Sequence, residues 1–235
     1  MSILTRSFNF VGMAYVQFRC RREYAKQTYV GLNERAIELA FLFKHIIGIA
    51  PQKVLDVGTG ITALPQVLRT CGYLVTSIDN VKDYWPAGMV NRHYHVIDDD
   101  ILQTAIKETF DLITCISVLE HISDHRRAVA SMYKLLNKGG HLVLTCPYTE
   151  HTYVHNVYAL PESSVAGNLP GFVTQSFSRN ELSAWLEDTG FEIVDQEHWN
   201  FFSGAFWTCG KKIIPPLKSS AQASHQLTCL LLRKK

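Results

Sequence analysis

The chain has 235 residues, of which 47% are apolar and 19% charged, ample for one sizeable core. A net charge of +2 gives no field strong enough to recruit nucleic acid or an anionic membrane. The six cysteines have no C-x-x-C spacing, no signal-peptide pattern opens the chain, and the longest apolar run, 39–50, is broken by Lys44 and His45. A cytoplasmic protein with no membrane segment is expected.

Residues 1–30 lack clear periodicity and are expected to form an arm with short helices. Asn33 opens a helix in which Ala36, Ile37, Leu39, Ala40, Phe43 and Ile47 recur at helical spacing and Gly48 marks the end. Pro51 precedes a strand at 53–57, apolar except for Asp56. Gly58 and Gly60 then allow a tight turn, and Thr62 is placed to cap a helix running to about Arg69, with Pro65 in its first turn. Further strands are predicted at 73–78, 93–97, 111–116 and 141–146. Before the last of these, 124–136 is an amphipathic helix stopped by Asn137, Lys138, Gly139 and Gly140. The stretch 147–172 is rich in Tyr, His, Gly and Pro and is expected to be a loop covering the substrate. Ser178 to Glu181 starts a helix ending at Gly190, followed by strands at 191–199 and 226–232. Between them, Trp199, Phe201, Phe202, Phe206 and Trp207 are expected to be core or a homodimer contact.

Strand–helix alternation of this kind means a parallel sheet with right-handed crossovers and helices on both faces. Ligands in such sheets bind beyond the carboxyl ends of the strands. The first strand, glycine turn and helix form a cradle expected to expose backbone amides. Gly58-x-Gly60-x-x-Ala63, with Asp79 closing the second strand, fits a dinucleotide fingerprint, but any adenosine cofactor would use such an acid on its ribose. Asp56 discriminates. Beside a pyrophosphate it would cost roughly 4 kcal/mol per like-charge pair at about 4 Å and an effective dielectric of about 20. The ammonium and sulfonium of S-adenosyl-L-methionine would instead be attracted.

The runs Val54-Leu55-Asp56-Val57-Gly58-Thr59-Gly60, Ser77-Ile78-Asp79, Asp99-Asp100-Ile101, Phe110-Asp111-Leu112-Ile113, Val118-Leu119-Glu120-His121-Ile122 and Leu136 to Leu144 occur in order. Together they resemble class I S-adenosylmethionine-dependent methyltransferases, of the small stand-alone bacterial type, from about Asn33 to the end of the chain. The resemblance implies one Rossmann-like α/β domain over 1–235. Its sheet would have seven mostly parallel strands, with the last strand, 226–232, antiparallel beside the fifth. Carried over by residue, Asp56, Gly58, Thr59, Gly60 and Thr62 would hold the methionine end and Asp79, with Asn80, the ribose. Asp99, Asp100 and Ile101 would meet adenine, and Ser117 and Val118 would lie beside the sulfonium. Thr62 stands where the family has a third glycine.

Methyl transfer from a sulfonium needs alignment and, for some acceptors, removal of a proton. His121 is the catalytic-base candidate, with a histidine that merely caps the following turn as the bland alternative. Trp85, Glu120, Tyr148, His151, Tyr153 and His155 are candidate contacts to a small-molecule acceptor. His151 and His155 share an i, i+4 spacing, but no metal is expected. The resemblance suggests a sugar, nucleotide-linked or related metabolite of surface-glycan (polysaccharide) or natural-product biosynthesis. A non-catalytic subunit that keeps the cradle, or a nicotinamide oxidoreductase, are the alternatives.

Overall fold

The computed structural model describes residues 3–29, 31–85, 89–166 and 173–235. They fall into two compact units, 1–32 and 33–235. The first is built on one helix, α1 (Ile3–Ala25), rather than the short helices expected. No proline interrupts that run, and lone Gly12 is tolerated within a long helix.

The second unit is organised on an eight-stranded sheet. In chain order its elements are α2 (Arg35–Ile49), β1 (Lys53–Val57), α3 (Leu64–Thr70), β2 (Leu74–Asp79), α4 (Val81–Tyr84), β3 (Ile97–Asp98), β4 (Phe110–Ile116), α5 (His125–Leu135), β5 (Leu136–Pro147), α6 (Arg179–Thr189), β6 (Glu192–Phe202), β7 (Lys212–Ser219) and β8 (Leu227–Arg233). The strand order is β3-β2-β1-β4-β5-β8-β6-β7. The five strands from β1 to β5 run parallel, and β8 enters antiparallel between β5 and β6, as the resemblance implied. The eighth strand is β7, which pairs antiparallel with β6 and corrects the expected count of seven. Its sequence, with Pro215 and Pro216, reads as non-strand, and it survives because it is an edge, where a missing N–H removes no ladder bond.

Alternation along the central strands sorts their side chains to two faces. Leu55, Ile113, Leu142, Leu144, Leu230 and Leu232 pack with Val129 and Met132 of α5 and Trp185 of α6. Val54, Leu112, Val143 and Leu231 pack with Phe41, Leu42 and Ile46 of α2 and Leu68 of α3. Of that aromatic group, Phe201 and Phe202 are core on this second face and Trp199 and Trp207 pack against it partly buried, whereas Phe206 belongs to neither core cluster. Cys115, Cys146 and Cys229 are buried and unbridged among the apolar strands.

Local signals account for most element ends. Asp124 caps α5 through Arg127 N, and Ser178 forms a capping box with Glu181 on α6. Gly190 ends α6 at φ 80°, the left-handed conformation glycine adopts without cost. Thr62 makes no cap, because α3 begins later, with Ala63 at its N-cap. Strand β3 is only two residues long. Residues 137–140, read as a helix stop, form a bulge between the pairs Phe110–Leu136 and Leu112–His141.

The Ser178 hydroxyl both receives Asn180 N at 3.2 Å and donates to Glu181 at 2.6 Å. Ser178→Ala is expected to lower stability by about 1 kcal/mol, read as a lower denaturant midpoint at unchanged slope.

Candidate active site

The site grows from one register. Asp56 of β1 is aligned with Ser77 of β2 and Thr114 of β4, so all three side chains leave the sheet at one level. Thr114 donates to one Asp56 oxygen at 2.6 Å, and Thr59, from the glycine turn, donates to the other at 2.6 Å. With its hydrogen so used, the Thr59 hydroxyl accepts from Ser77. Asp56 is 2% exposed, and burial pushes its pKa up to about 6 against the pull of the two threonines. It forms part of the floor of a cavity of about 940 Å³.

The turn above it is tightly tied. Gly58 N and Thr59 N both donate to Ile78 O, at 2.9 and 3.2 Å. Gly60 N donates to Asp79 at 2.6 Å, and Trp85 Nε1 donates to the other Asp79 oxygen at 3.2 Å. The expected row of exposed amides is thus corrected: these donors are already spent on β2. Burial raises the Asp79 pKa, opposed by the Gly60 and Trp85 bonds. Gly58 has φ 73°, and a Cβ there would lie 2.4 Å from the Val118 side chain. No other residue would leave both the turn and Val118 in place.

Among the residues expected around an adenosine ligand, Asp99, Asp100 and Ile101 line the cavity with Asn80 and Thr62. The acids also cap turns. Asp99 receives Thr104 Oγ1 at 2.6 Å, and Asp100 receives Leu102 N at 2.9 Å. Asp98, the first of the acidic run, holds Val81 N and Lys82 instead.

On the far side of the cradle, Ser117 takes φ 51°, unusual for a residue with a Cβ. Its N–H donates to Thr145 and its hydroxyl to Glu38 at 2.5 Å. Glu38 is fully buried and also receives Thr145 at 2.6 Å and Arg35 at 2.9 Å. Desolvation nevertheless raises its pKa. Arg35 also donates to Ile116 O at 3.2 Å and lines the cavity. Of this quartet the sequence reading singled out Ser117 and missed Arg35, Glu38 and Thr145. The available signal was an acid, Glu38, at the buried spacing of Phe41 and Leu42 on α2.

His121 lines the cavity with Ile122 and Ser123. Its Nδ1 lies 2.8 Å from Val173 O, a partner that only accepts, so Nδ1 carries the hydrogen and Nε2 the lone pair. Burial lowers the His121 pKa, partly offset by that carbonyl. Glu120 is buried, with Oε1 at 3.8 Å from His121 Nε2, too long for a hydrogen bond, and with no partner at Oε2. Burial pushes its pKa up to about 8. Glu120 therefore adjoins the site from beneath and does not line it.

The other expected acceptor contacts divide. Trp85 lines the cavity on the Asp79 side. Tyr148 is corrected: its ring is fully buried, because its N–H joins the ladder to Gln226 and its hydroxyl donates to Glu150 at 3.1 Å. His151 and His155 are exposed, and Tyr153, 38% exposed, donates to Gln175 at 2.8 Å. None of these three lines the cavity. Of the expected cover 147–172, residues 167–172 lie outside the described residues. Residues 147–166 are bridged to 176–177 and 209.

Residues 25–196 match the family model described as "Methyltransferase domain". The ubiquinone biosynthesis O-methyltransferase of Pseudomonas savastanoi pv. phaseolicola is 27% identical over 163 residues, covering 63% of this chain and 68% of the relative. Among solved structures, the Burkholderia thailandensis 1,6-didemethyltoxoflavin-N1-methyltransferase, with S-adenosylhomocysteine bound, superposes with a TM-score of 0.58 at 16% identity, covering 97% of this chain and 90% of that one. The Synechocystis magnesium protoporphyrin IX methyltransferase gives 0.55 at 16% identity, covering 99% of both chains. At these identities the structural likeness shows the fold.

Glu120 sets a pH dependence of stability. Its pKa is raised on folding from 4.5 to about 8, so its contribution is fully present below 4.5 and is lost as pH climbs to about 8. Wild-type stability should fall across that window. Glu120→Gln should flatten the fall and be the more stable protein at pH 8.5, as read by denaturant titrations at several pH values.

Proposed function

The chain belongs to the methyltransferase-domain family and is an S-adenosylmethionine-dependent methyltransferase; from that premise we propose that it methylates a hydroxyl of a small, largely apolar acceptor, with His121 as the base. The observation that carries this reading is the tautomer of His121. Val173 O fixes the hydrogen on Nδ1 and so leaves the ring's lone pair on Nε2 of a residue that lines the cavity, and the lowered pKa keeps the ring neutral at physiological pH.

The cradle suits the cofactor's charge. Its amides are committed to Ile78 and Asp79, which leaves little to bind a pyrophosphate, while two carboxyls, Asp56 and Asp79, favour a cation. Asp56 would face the methionine ammonium, and Arg35 would offer its carboxylate a counterion. Asp79 would receive the ribose hydroxyls on its remaining lone pairs, with Asn80 alongside. Ile101 and Leu102 give adenine an apolar wall, and Asp99 or Asp100 its polar edge. Gly58, Thr59, Gly60 and Thr62 shape the turn around the methionine end. Ser117, held in its left-handed conformation by Thr145 and Glu38, aims Val118 across Gly58 and fixes the wall beside the sulfonium.

S-adenosylmethionine supplies an electrophilic methyl group with a neutral thioether as leaving group. The protein's part is then to exclude water, align the acceptor oxygen and take its proton at His121 Nε2. Leu39, Phe43, Ile116, Val118 and Ile122 make the cavity mainly apolar. That lining favours a hydroxylated aromatic or similarly apolar acceptor over the polyhydroxylated sugar expected from sequence. The O-methyltransferase relatives point the same way. No helix among the described residues is long and apolar enough to cross a membrane.

Calorimetric titration should show micromolar binding of S-adenosylmethionine and S-adenosylhomocysteine and none of NAD, with Asp79→Ala weakening both at least tenfold. Binding of NAD alone would sink the cofactor assignment, and cofactor binding without turnover on any hydroxylated acceptor would leave a non-catalytic subunit. His121→Gln should leave cofactor affinity intact and lower kcat by about 10²–10⁴. In the wild type, kcat/KM should rise through the His121 pKa, below 6.5, and level off above it. An unchanged kcat in the variant would remove the base role.

A further inference from the structure

The same edge of the sheet carries a second polar cluster, over β5, β8 and β6 and outside the cavity lining. Tyr148 N donates to Gln226 O at 2.9 Å, which brings the segment after β5 against the turn before β8. His198 of β6 sits opposite Thr228 in the neighbouring ladder. As a result Glu150, His198 and His225 converge, each with one ligand-type atom within 4.8 Å of the others.

The two imidazoles are 7% and 4% exposed, and their ring centroids are 4.5 Å apart. Tyr148 stacks on His225 at 5.6 Å with 12° between the planes. Nε2 of each histidine is buried and has no hydrogen-bond partner. On His225, Nδ1 lies 2.7 Å from Ala223 O and so carries the hydrogen, leaving the lone pair on Nε2. Leaving a buried polar atom unsatisfied is costly, and here two stand side by side next to a carboxylate. A metal ion held between them would satisfy both nitrogens at once.

We propose that Glu150, His198 and His225 form a site for a divalent transition-metal ion of the zinc class, which fastens the segment after β5 to β6 and to the turn before β8. Neutral imidazole nitrogens and one carboxylate oxygen are the donors such ions prefer, and the His225–Ala223 bond is the kind of outer contact that fixes a ligating ring. Glu150 is oriented by Arg179, at 2.8 and 3.2 Å, and by the Tyr148 hydroxyl. Its side chain is 18% exposed, which gives the ion a path in and leaves a coordination position to water. Ligand atoms around a tetrahedral ion with bonds of about 2.0–2.1 Å lie about 3.4 Å apart, so groups that now lie within 4.8 Å of one another must close by up to about 1.4 Å. The Arg179 charge opposes the ion and weakens its binding. The histidines singled out by sequence spacing, His151 and His155, are exposed and belong to no such cluster among the described residues.

Cobalt(II) is the probe, titrated into chelator-treated full-length protein and followed by its visible absorption. One equivalent should bind at micromolar concentration, be displaced by zinc and raise the Tm. His198→Gln and His225→Gln should each weaken binding at least tenfold, whereas His151→Gln should not change it. If either histidine variant fails to fold, Glu150→Gln, which preserves shape, should still weaken binding at least tenfold. Absence of saturable binding up to millimolar cobalt, or binding undiminished in the site variants and lost in His151→Gln, overturns the site. The readout does not involve S-adenosylmethionine or turnover, so it stands or falls apart from the proposed reaction.

Discussion

A carboxyl group in the middle of a parallel sheet is the constraint on which the rest of this site depends. Asp56 is surrounded by apolar strands, and an ionised acid there is tolerable only because Thr114 and Thr59 each donate to it and Ser77 completes the chain of hydroxyls. Those partners come from the neighbouring strands and from the turn itself, so the register of β1 with β2 and β4 and the shape of the glycine turn are fixed together. A slip of one residue would turn Asp56 to the other face and strand it among leucines.

From this anchor the cradle is built outward. Ile78 O receives two turn amides, Asp79 receives a third, and Trp85 closes over Asp79. Across the cavity, Glu38 plays a parallel part for the end of β4. It collects Ser117, Thr145 and Arg35, and so ties α2 to β4 and β5. Two buried acids, each satisfied by hydroxyls, thus hold the two walls of one cavity. Buried hydrogen-bonded acids resist rearrangement because each partner that leaves exposes an unpaired charge. Such walls suit methyl transfer, where alignment of donor and acceptor is the main contribution the protein makes.

The segment after β5 has a different logic. It is held by ladder-like bonds from Tyr148, Thr149 and Val154 to residues 176–177 and 226. Through Val173 and Gln175 it also grips the turn that presents His121. Whatever fastens this segment therefore bears on the tautomer of the proposed base. The cluster of Glu150, His198 and His225 lies at its root, so a metal bound there would stiffen the support of His121 without touching the acceptor.

Sequence by itself determined the sheet and the cradle. Strands β1, β2, β4, β5 and β8, helices α2, α5 and α6, and the roles of Gly58 and Asp79 as turn and strand-end residues follow from period-2 and period-3.6 patterns and from capping chemistry, all local along the chain, whereas the antiparallel direction of β8 was implied by the family resemblance alone. Tertiary structure alone decided what the polar atoms face. Tyr148 reads as a strand-end aromatic but is buried by a ladder bond to Gln226, and Glu38 reads as one polar position of a helix but meets Ser117 and Thr145, residues 79 and 107 positions away. Strand β7 is invisible to pattern because its prolines are permitted only by its place at the edge. The physical reason is the same in each case: backbone conformation is set by neighbours in sequence, whereas hydrogen-bond partners of buried side chains are set by neighbours in space.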